Sequence, residues 1–249
     1  MVTKVVGIIP ARFGSTRLMG KPLADINGKP MVQHVYESTI KSSILDDVIV
    51  ATDDRRIKEA VEEFGGIAVL TSKDHLTGTD RISEVARDMD VDIVVNIQAD
   101  EPFIKPGMID EIVNPLLKDR DIPMCTLMHE IDKEDVQNPD VVKVVTDTSG
   151  FALYFSRSLI PYPRREEGHR VFEHIGIYSY RKDFLLTFSQ LEPTPLEKSE
   201  GLEQLRALEN GFKIRVILTK DYIPLSVDTQ EDLERAREFV RSLETNNDG

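Results

Sequence analysis

A basic, glycine-containing loop follows the first apolar run of the sequence. Four cations lie between residues 10 and 29 against one acidic residue, Asp25, a local charge of +3 in a chain of net charge −13; they are Arg12, Arg17, Lys21 and Lys29. Open α/β sheets bind ligands in loops at the carboxyl ends of their strands, where glycine lets backbone N–H groups approach a phosphate. The loop therefore favours an anionic ligand over its alternative, a solvated basic surface.

Two common phosphate-binding motifs are excluded by the spacing. Five residues separate Gly14 from Gly20, one more than a P-loop allows, and Lys21 is followed by Pro22 where a P-loop has serine or threonine. No G-x-G-x-x-G follows an apolar run, which removes the usual dinucleotide fingerprint.

Two aspartates follow apolar runs at positions suited to chemistry. Asp100 comes after the run 93–97, and Asp228 lies ten residues beyond the run 214–218, so both are expected near the carboxyl edge of a sheet. Carboxylate oxygens suit Mg²⁺, which keeps waters and substrate phosphates among its ligands. The alternative is a helix N-cap, since Asp228 or Thr229 precedes a helical pattern that begins near Gln230.

Short apolar runs alternate with helix-period stretches from residue 4 to about 118, the pattern of βαβ units on a mostly parallel sheet. Strands are predicted at 5–9, 48–51 and 93–97, and helices at 57–64, 82–89 and 109–116. We expect Thr79 or Asp80 to cap the second helix, and Pro115 to kink or end the third, which starts after Pro106.

The pattern changes after about residue 120. A tight turn at 147–150 joins two predicted strands, 141–146 and 151–155, into an antiparallel hairpin. The remaining predictions are an exposed loop at 161–170, strands at 171–180 and 214–218, helices at 196–209 (closed by Gly211) and 230–243, and a frayed tail at 245–249. The predicted fold class is α/β, three-layer, with a mostly parallel, mixed central sheet. We interpret 1–249 as one domain, with an antiparallel lobe at about 121–199.

The composition restricts the partners and the compartment. Thirty-one basic residues against forty-four acidic ones disfavour binding to nucleic acid or to anionic lipid. The lone cysteine, Cys125, lies among apolar residues, which favours a buried thiol over a reactive one. Because no leader pattern and no apolar run of about 18 residues is found, we expect a cytoplasmic protein without membrane contact.

Eight segments in order carry a family resemblance. The loop 10–23, PARFGSTRL followed by GKPL, resembles the signature of the sugar-nucleotidyltransferase superfamily and is similar to that of the CMP-Kdo synthetases, the 3-deoxy-manno-octulosonate cytidylyltransferases. The other matching segments are 52–53, 77–81, 96–102, 152–157, 174–178, 203–208 and 227–229. Two residues depart from the family pattern: Met19 replaces the usual proline and Ala99 the usual glycine, which puts loop rigidity in doubt.

The resemblance implies a fold of the nucleotide-diphospho-sugar transferase type and a set of site residues. The implied catalytic residues are Arg12, Lys21, Asp100 and Asp228, the two aspartates being the Mg²⁺ ligands. The implied nucleotide-binding residues are Pro10, Ala11, Arg12, Arg17, Lys21, Thr52, Asp53, Thr77, Gly78, Thr79, Arg81 and Gln98. The implied sugar-binding residues are Arg157, His174, Tyr178, Glu203 and Gln204. Without the resemblance, His174 and Tyr178 are typical of a core, and the 77–81 segment of a helix cap.

The resemblance also implies the reaction. The anomeric hydroxyl of 3-deoxy-manno-octulosonate (Kdo), an acidic eight-carbon keto sugar, attacks the α-phosphorus of CTP to give CMP-Kdo and pyrophosphate, for lipopolysaccharide synthesis. It further implies a homodimer. Alternatives are activation of 8-amino-Kdo or sialic acid, transfer of a uridylyl or thymidylyl group, and a nucleotide-binding scaffold without turnover.

Overall fold

The computed structural model describes residues 3–14, 18–131, 135–165 and 167–247, with side chains described up to residue 243. The first half of the chain contains β1 Val5–Ala11, a 3-10 turn Lys21–Leu23, β2 Asp25–Ile26, β3 Lys29–Pro30, α1 Met31–Thr39, β4 Asp47–Thr52, α2 Arg55–Glu63, β5 Ala68–Leu70, α3 Gly78–Arg87, β6 Ile93–Asn96 and α4 Pro106–Lys118. The second half contains β7 Met124–Glu130, β8 Lys143–Thr146, β9 Ala152–Ser156, β10 Phe172–Arg181, α5 Lys182–Phe188, α6 Pro195–Glu200, α7 Leu205–Glu209, β11 Ile214–Leu218 and α8 Gln230–Asn247.

One mixed sheet passes through the molecule, with its seven main strands in the order β11, β7, β10, β6, β1, β4, β5. Every neighbouring pair is parallel except the two that involve β10, which runs antiparallel to both β7 and β6. The β8–β9 hairpin joins the sheet at its side, through the pairing of β8 with the start of β10. The predicted mixed sheet and antiparallel hairpin are confirmed.

Helices cover both faces of this sheet and make the three layers that the sequence predicts. Successive residues of β1 point to opposite faces: Val5 and Ile9 pack with α1, α2 and α4, whereas Val6 and Ile8 pack with α3, α5 and α7. Because both faces are buried, β1 is apolar throughout instead of alternating with polar residues. The α/β three-layer fold class is confirmed.

Helix α3 begins at Gly78, four residues before the predicted start at residue 82. Thr77 is the N-cap, because its hydroxyl accepts from the Asp80 backbone N–H at 3.1 Å while the Asp80 carboxylate accepts from the Thr77 backbone N–H at 3.2 Å. The prediction of Thr79 or Asp80 as the cap is therefore wrong. Asp80 is the reciprocal partner in a capping box, and Thr79 lies inside the first turn.

Three further boundaries differ from the prediction. The predicted helix 196–209 is two helices, because Gly201 adopts a left-handed φ of 64° that ends α6. Helix α4 continues through Pro115 to Lys118; a proline this close to a C-terminus removes only one hydrogen bond. Helix α8 continues to Asn247, so residues 245–247 belong to it, and residues 248–249 lie outside the described residues.

Several elements carry no prediction from the sequence: α1, α5, β5 and β7. Of the four strands within the predicted 121–199 lobe, β7 and β10 lie in the main strand order, and β8 and β9 lie off it. Among the described helices, none is both long and apolar enough to cross a bilayer.

A largely buried ion pair joins α6 to α7. Arg206 donates through Nε at 2.9 Å and through Nη2 at 2.5 Å to the two carboxylate oxygens of Glu197, whose side chain is 12% exposed against 6% for Arg206. Breaking a buried pair leaves an uncompensated charge. We expect Glu197→Gln to lower the free energy of unfolding by about 3 kcal/mol in urea titrations at pH 7. Glu192→Gln, at an exposed position, is the control and should have little effect.

The Glu197–Arg206 pair should also make the effect of Glu197→Gln on the free energy of unfolding depend on pH. Although burial acts to raise it, the pKa of Glu197 is lowered by hydrogen bonds from Arg206 and the Thr194 backbone. A lowered folded-state pKa stabilises the fold above the unfolded pKa, and this contribution disappears as the pH falls through the folded value. The stability difference between wild type and Glu197→Gln should therefore narrow below about pH 4.5. A constant difference from pH 7 to pH 3 would contradict this role.

Candidate active site

A cavity of about 310 Å³ opens at the carboxyl edge of the parallel strands, within the volume range of small-molecule sites. Loops that follow β1, β5 and β6 and the segment before α8 contribute its walls. Its lining residues are Pro10, Arg12, Lys21, Pro22, His75, Leu76, Thr77, Gly78, Arg81, Gln98, Ala99, Asp100 and Asp228. Nine of the residues named from the resemblance therefore share one cavity.

Lys21 joins the two aspartates. Its Nζ donates at 2.6 Å to Asp100 and at 2.9 Å to Asp228, and its side chain is 14% exposed. Burial acts to lower the pKa of Lys21, but the two carboxylates outweigh it and the pKa is raised, so the ammonium stays charged. A residue of the first loop is thereby bound to residues 79 and 207 positions away in the sequence.

The helix-cap alternative for Asp228 is not what the structure shows. Thr229 caps α8, because its hydroxyl accepts from the Asp232 backbone N–H at 3.2 Å, and the Asp232 carboxylate accepts from the Thr229 backbone N–H at 2.9 Å. The carboxylate of Asp228 is therefore directed to Lys21 instead of to the helix.

The carboxylate oxygens of the two aspartates are of the ligand type that hard divalent cations prefer. One from each lies within 2.9 Å of the same nitrogen atom, which shows that the pocket already places a positive charge between them. No group of three or more histidine, cysteine, aspartate or glutamate ligands gathers in the part of the chain that the structure describes. Mg²⁺ fits such a sparse set, because it commonly takes one or two carboxylates and completes its shell with water and phosphate.

Arg81 is a buried residue that holds together the loops around the cavity. Its side chain is 3% exposed and donates to Asp53 at 3.0 Å, to the Thr71 hydroxyl at 2.5 Å and to the Ser72 carbonyl at 3.1 Å. Asp53 in turn accepts from the Phe13 backbone N–H at 3.3 Å. Arg81 thus connects the loops after β1, β4 and β5.

The other nucleotide-binding candidates differ in whether they line the cavity. Ala11 and Thr52 are buried in β1 and β4 and are not among the lining residues; Asp53 is not among them either, but it accepts a hydrogen bond from Arg81, which is. Arg17 lies outside the described residues. Gln98 lines the cavity and donates to the Asn96 side chain at 3.1 Å.

Thr79 connects the cavity wall to the sugar-binding candidates. Its hydroxyl donates to Glu203 at 2.6 Å, while its neighbours Thr77 and Gly78 line the cavity. Burial raises the pKa of Glu203, and the carboxylate oxygen not bound to Thr79 is buried without a hydrogen-bond partner among the described residues. This oxygen lies 3.7 Å from Arg206 Nη2, so Glu203 has unused hydrogen-bonding capacity next to a buried cation, behind the segment that lines the cavity.

His174, Tyr178 and Gln204 form one packed group. The His174 ring lies 5.4 Å from that of Tyr178, and Nδ1 lies 3.5 Å from the Gln204 amide nitrogen. Nε2 lies 3.0 Å from the Thr126 hydroxyl, whose own hydrogen faces the carbonyls of β10. Since that hydroxyl must then accept, the contacts assign the proton of the neutral ring to Nε2.

Arg157 lies at the end of β9 and is held by backbone groups. Nε donates to the Glu200 carbonyl at 2.7 Å and Nη1 to the Pro139 carbonyl at 3.0 Å, and the Glu200 carboxylate accepts from the Arg157 backbone N–H at 2.9 Å. The structure therefore does not join Arg157 to the His174 group by a direct contact between the described residues, and two of its nitrogens already support the chain.

Sequence reasoning missed two residues that line the cavity, and also the buried carboxyl of Glu101, which lies outside the lining. His75 and Leu76 line the cavity, the ring of His75 contacts the Glu84 carboxylate, and Leu76 is 86% exposed. Their position directly before the 77–81 segment was the available signal. Glu101 follows Asp100, and its burial, helped by the charge of Asp100, raises its pKa to about 8.

Comparisons with known proteins agree over nearly the whole chain. A family model described as cytidylyltransferase matches residues 6–214. The 3-deoxy-manno-octulosonate cytidylyltransferase of Geotalea uraniireducens is 54% identical, covering 96% of this chain and 99% of the relative. The protein of the same name from Fusobacterium nucleatum is 49% identical, covering 96% and 97%.

A solved structure shares the fold closely. The structure of CMP:2-keto-3-deoxy-manno-octonic acid synthetase complexed with CTP has a TM-score of 0.94 at 45% identity, and the match covers 96% of this chain and 99% of that chain. A cytidylyltransferase from Leptospira borgpetersenii, at 20% identity and a TM-score of 0.66, shares the fold.

The environment of His174 yields a prediction about its protonation. Burial lowers the pKa of His174 to about 3, so the ring stays neutral through the pH range in which an exposed histidine gains a proton. Nitrogen-15 NMR of the imidazole should show the neutral Nε2–H tautomer unchanged from pH 8 to pH 5. Thr126→Val removes the acceptor and should weaken the preference for this tautomer. A titration midpoint near 6.5 in the wild type would contradict the assigned environment.

Proposed function

The chain belongs to the cytidylyltransferase family, and from this premise we propose that it transfers the cytidylyl group of CTP to 3-deoxy-manno-octulosonate, releasing pyrophosphate. The names of its relatives and the CTP complex of its structural neighbour support this choice of substrates. The structural observation that carries the proposal is the cavity in which Lys21, Asp100 and Asp228 meet. Behind its wall, Thr79 donates a hydrogen bond to Glu203, one of the proposed sugar-binding residues. Its product would feed lipopolysaccharide synthesis.

The triphosphate is assigned to the basic end of the cavity. Arg12 lines the cavity with an exposed side chain and Lys21 also lines it, so both can neutralise phosphate oxygens. Nucleotidyl transfer depends on charge neutralisation and alignment more than on covalent catalysis, and this site needs no nucleophilic serine or cysteine. In agreement, burial raises the pKa of the Cys125 thiol and keeps it unreactive.

Asp100 and Asp228 would hold the proposed Mg²⁺. When bound, the ion would supply positive charge near the reacting phosphate and acidify the attacking hydroxyl. The chain's own part is to keep two carboxylates at the carboxyl edge of the sheet, at the end of the cavity that Lys21 lines. The attacking hydroxyl must then arrive from the side of Thr79 and Glu203.

The base is assigned to the wall formed by Gly78 and Gln98. There is little space between Gly78 and Pro10, because a Cβ at Gly78 would lie 3.2 Å from Pro10 Cγ. Gln98 offers both an amide donor and a carbonyl acceptor, and cytosine differs from uracil by a donor amine and an acceptor ring nitrogen at its recognition edge. Backbone and amide groups are therefore sufficient for the proposed selection of CTP.

The sugar is assigned to Glu203, Gln204, His174 and Tyr178. They provide both acceptors and donors, which hydroxyl groups require. The hydrogen bond from Thr79 to Glu203 supports the assignment, because Thr79 follows the cavity-lining residues Thr77 and Gly78. For the sugar carboxylate we propose Arg157, through Nη2, the guanidinium nitrogen that donates to neither the Glu200 nor the Pro139 carbonyl. Sialic acid or 8-amino-Kdo as the substrate is the alternative that the assay below decides.

The decisive experiment measures pyrophosphate release from CTP with each candidate sugar and Mg²⁺. We expect release with Kdo, and little with sialic acid or with UTP in place of CTP. Equal turnover with sialic acid would replace the proposed sugar, and nucleotide binding without release of pyrophosphate would favour the scaffold alternative.

Asp100→Asn is expected to lower kcat by about 10²- to 10³-fold, because the amide cannot replace the carboxylate's charge at the reacting phosphate. CTP affinity measured in EDTA should survive. Asp88→Asn, at an exposed position after α3, is the matched control and should behave as wild type. A near-normal Mg²⁺-dependent rate in Asp100→Asn would remove Asp100 from the proposed site.

A homodimer and a cytoplasmic location complete the proposal. Large apolar side chains are exposed within the 121–199 segment, among them Leu153 on β9 at 62% and Tyr162 at 83%. Among the described strands, β9 pairs with β8. A second copy of the chain is the proposed cover. The cytoplasm is favoured because it supplies CTP and keeps a free thiol such as Cys125 reduced.

Leu153→Asp would place a charge in the proposed interface and should shift sedimentation from dimer to monomer. Leu243→Asp, at an exposed leucine on α8, tests whether any surface charge has this effect and should leave the dimer intact. A dimer unchanged in Leu153→Asp would exclude β9 from the interface.

A further inference from the structure

Lys21 occupies the position between two carboxylates that a metal ion would need. Its ammonium lies 2.6 Å from Asp100 and 2.9 Å from Asp228, and it satisfies both with one positive charge. Two carboxylates this close repel each other unless a cation lies between them. The same ammonium is also assigned to the triphosphate, and it cannot bind both partners at full strength.

The backbone of Lys21 is fixed, so a change of partner is confined to its side chain. The Lys21 backbone N–H donates to the Leu18 carbonyl at 3.2 Å, and the Lys21 carbonyl accepts from the Ala24 N–H at 3.0 Å. Gly20, in a left-handed conformation, and Pro22 flank it in the 3-10 turn. Lysine has a four-carbon flexible stem, so its Nζ can move between partners while the turn stays in place.

We propose that Lys21 is an internal counter-cation, which holds Asp100 and Asp228 together in the nucleotide-free protein and releases them to a divalent cation only when a nucleoside triphosphate draws its ammonium away. This inference rests on the proposed function. It makes divalent-cation binding conditional on the nucleotide, since without phosphates the metal must displace a salt-bridged lysine. A nucleoside monophosphate, with fewer phosphate charges, would draw the lysine away less effectively.

The first test measures Mn²⁺ binding to the nucleotide-free protein by electron paramagnetic resonance. Wild type should bind Mn²⁺ weakly, and Lys21→Met should bind one ion at least about tenfold more tightly, a difference of roughly 1.4 kcal/mol. Lys29→Met, which removes an exposed lysine paired with Glu37, is the matched control and should bind as wild type does. The double variant Lys21→Met with Asp100→Asn should lose the gain, which locates the ion.

The conservative variant separates this role from a structural one. Lys21→Arg keeps a cation between the carboxylates and should retain weak Mn²⁺ binding, whereas a merely disturbed fold would affect both variants alike. Circular dichroism of each variant checks that it is folded. Equal Mn²⁺ affinity in wild type and folded Lys21→Met, whether tight or weak, would overturn the proposal.

The second test observes the lysine itself. With lysines labelled by ¹³C-dimethylation and the Lys21 signal assigned by its absence in Lys21→Met, CTP added in EDTA should shift that signal, and CMP should shift it much less. A Lys21 signal that CTP leaves unchanged would overturn the release step. Neither test needs turnover. The role of Lys21 can therefore be refuted while pyrophosphate release is observed, and it can be supported while no pyrophosphate is released.

Discussion

The reversal of one strand in an otherwise parallel sheet determines where the groups of this site meet. Parallel strands bring their carboxyl ends to one edge, and the loops after β1, β5 and β6 build the cavity there. Because β10 runs the other way beside β6, with Tyr178 opposite Asn96, its first residues lie at this same edge. His174, near the beginning of β10, therefore lies beyond the carboxyl end of β6, and Tyr178 lies level with that end.

This arrangement places the two proposed subsites on either side of the α3 N-terminus. Thr77 and Gly78 face the cavity, and Thr79 binds Glu203. The capping box of α3 fixes the backbone at this point, and Arg81, one turn along, fixes the surrounding loops. A short segment can serve both subsites because the rigid start of a helix presents successive residues in different directions.

Local patterns predicted much of this fold and only part of the site. The apolar run of β1 and the 3.6-residue spacing of α2 were sufficient, since each element buries a face that its own residues define. The cap of α3 was misplaced because Thr77, Thr79 and Asp80 can all cap a helix, and the choice depends on where the chain leaves the preceding strand. The break at Gly201 was missed for a similar reason, since the helical spacing continues across it.

The charges of the site could be named from the sequence, but their pairing could not. Asp228 beside a helix start looked like a cap, and only the folded chain shows that Thr229 and Asp232 make the cap and leave Asp228 to Lys21. A chain of net charge −13 that must receive a polyanion needs its carboxylates neutralised before the ligand arrives. With the two aspartates satisfied by Lys21, the cavity meets an approaching triphosphate with Arg12 exposed and with less negative charge than its composition suggests. One lysine can thus reconcile a metal-binding pair of acids with an anionic substrate, because it neutralises the acids in one state and the phosphates in the other.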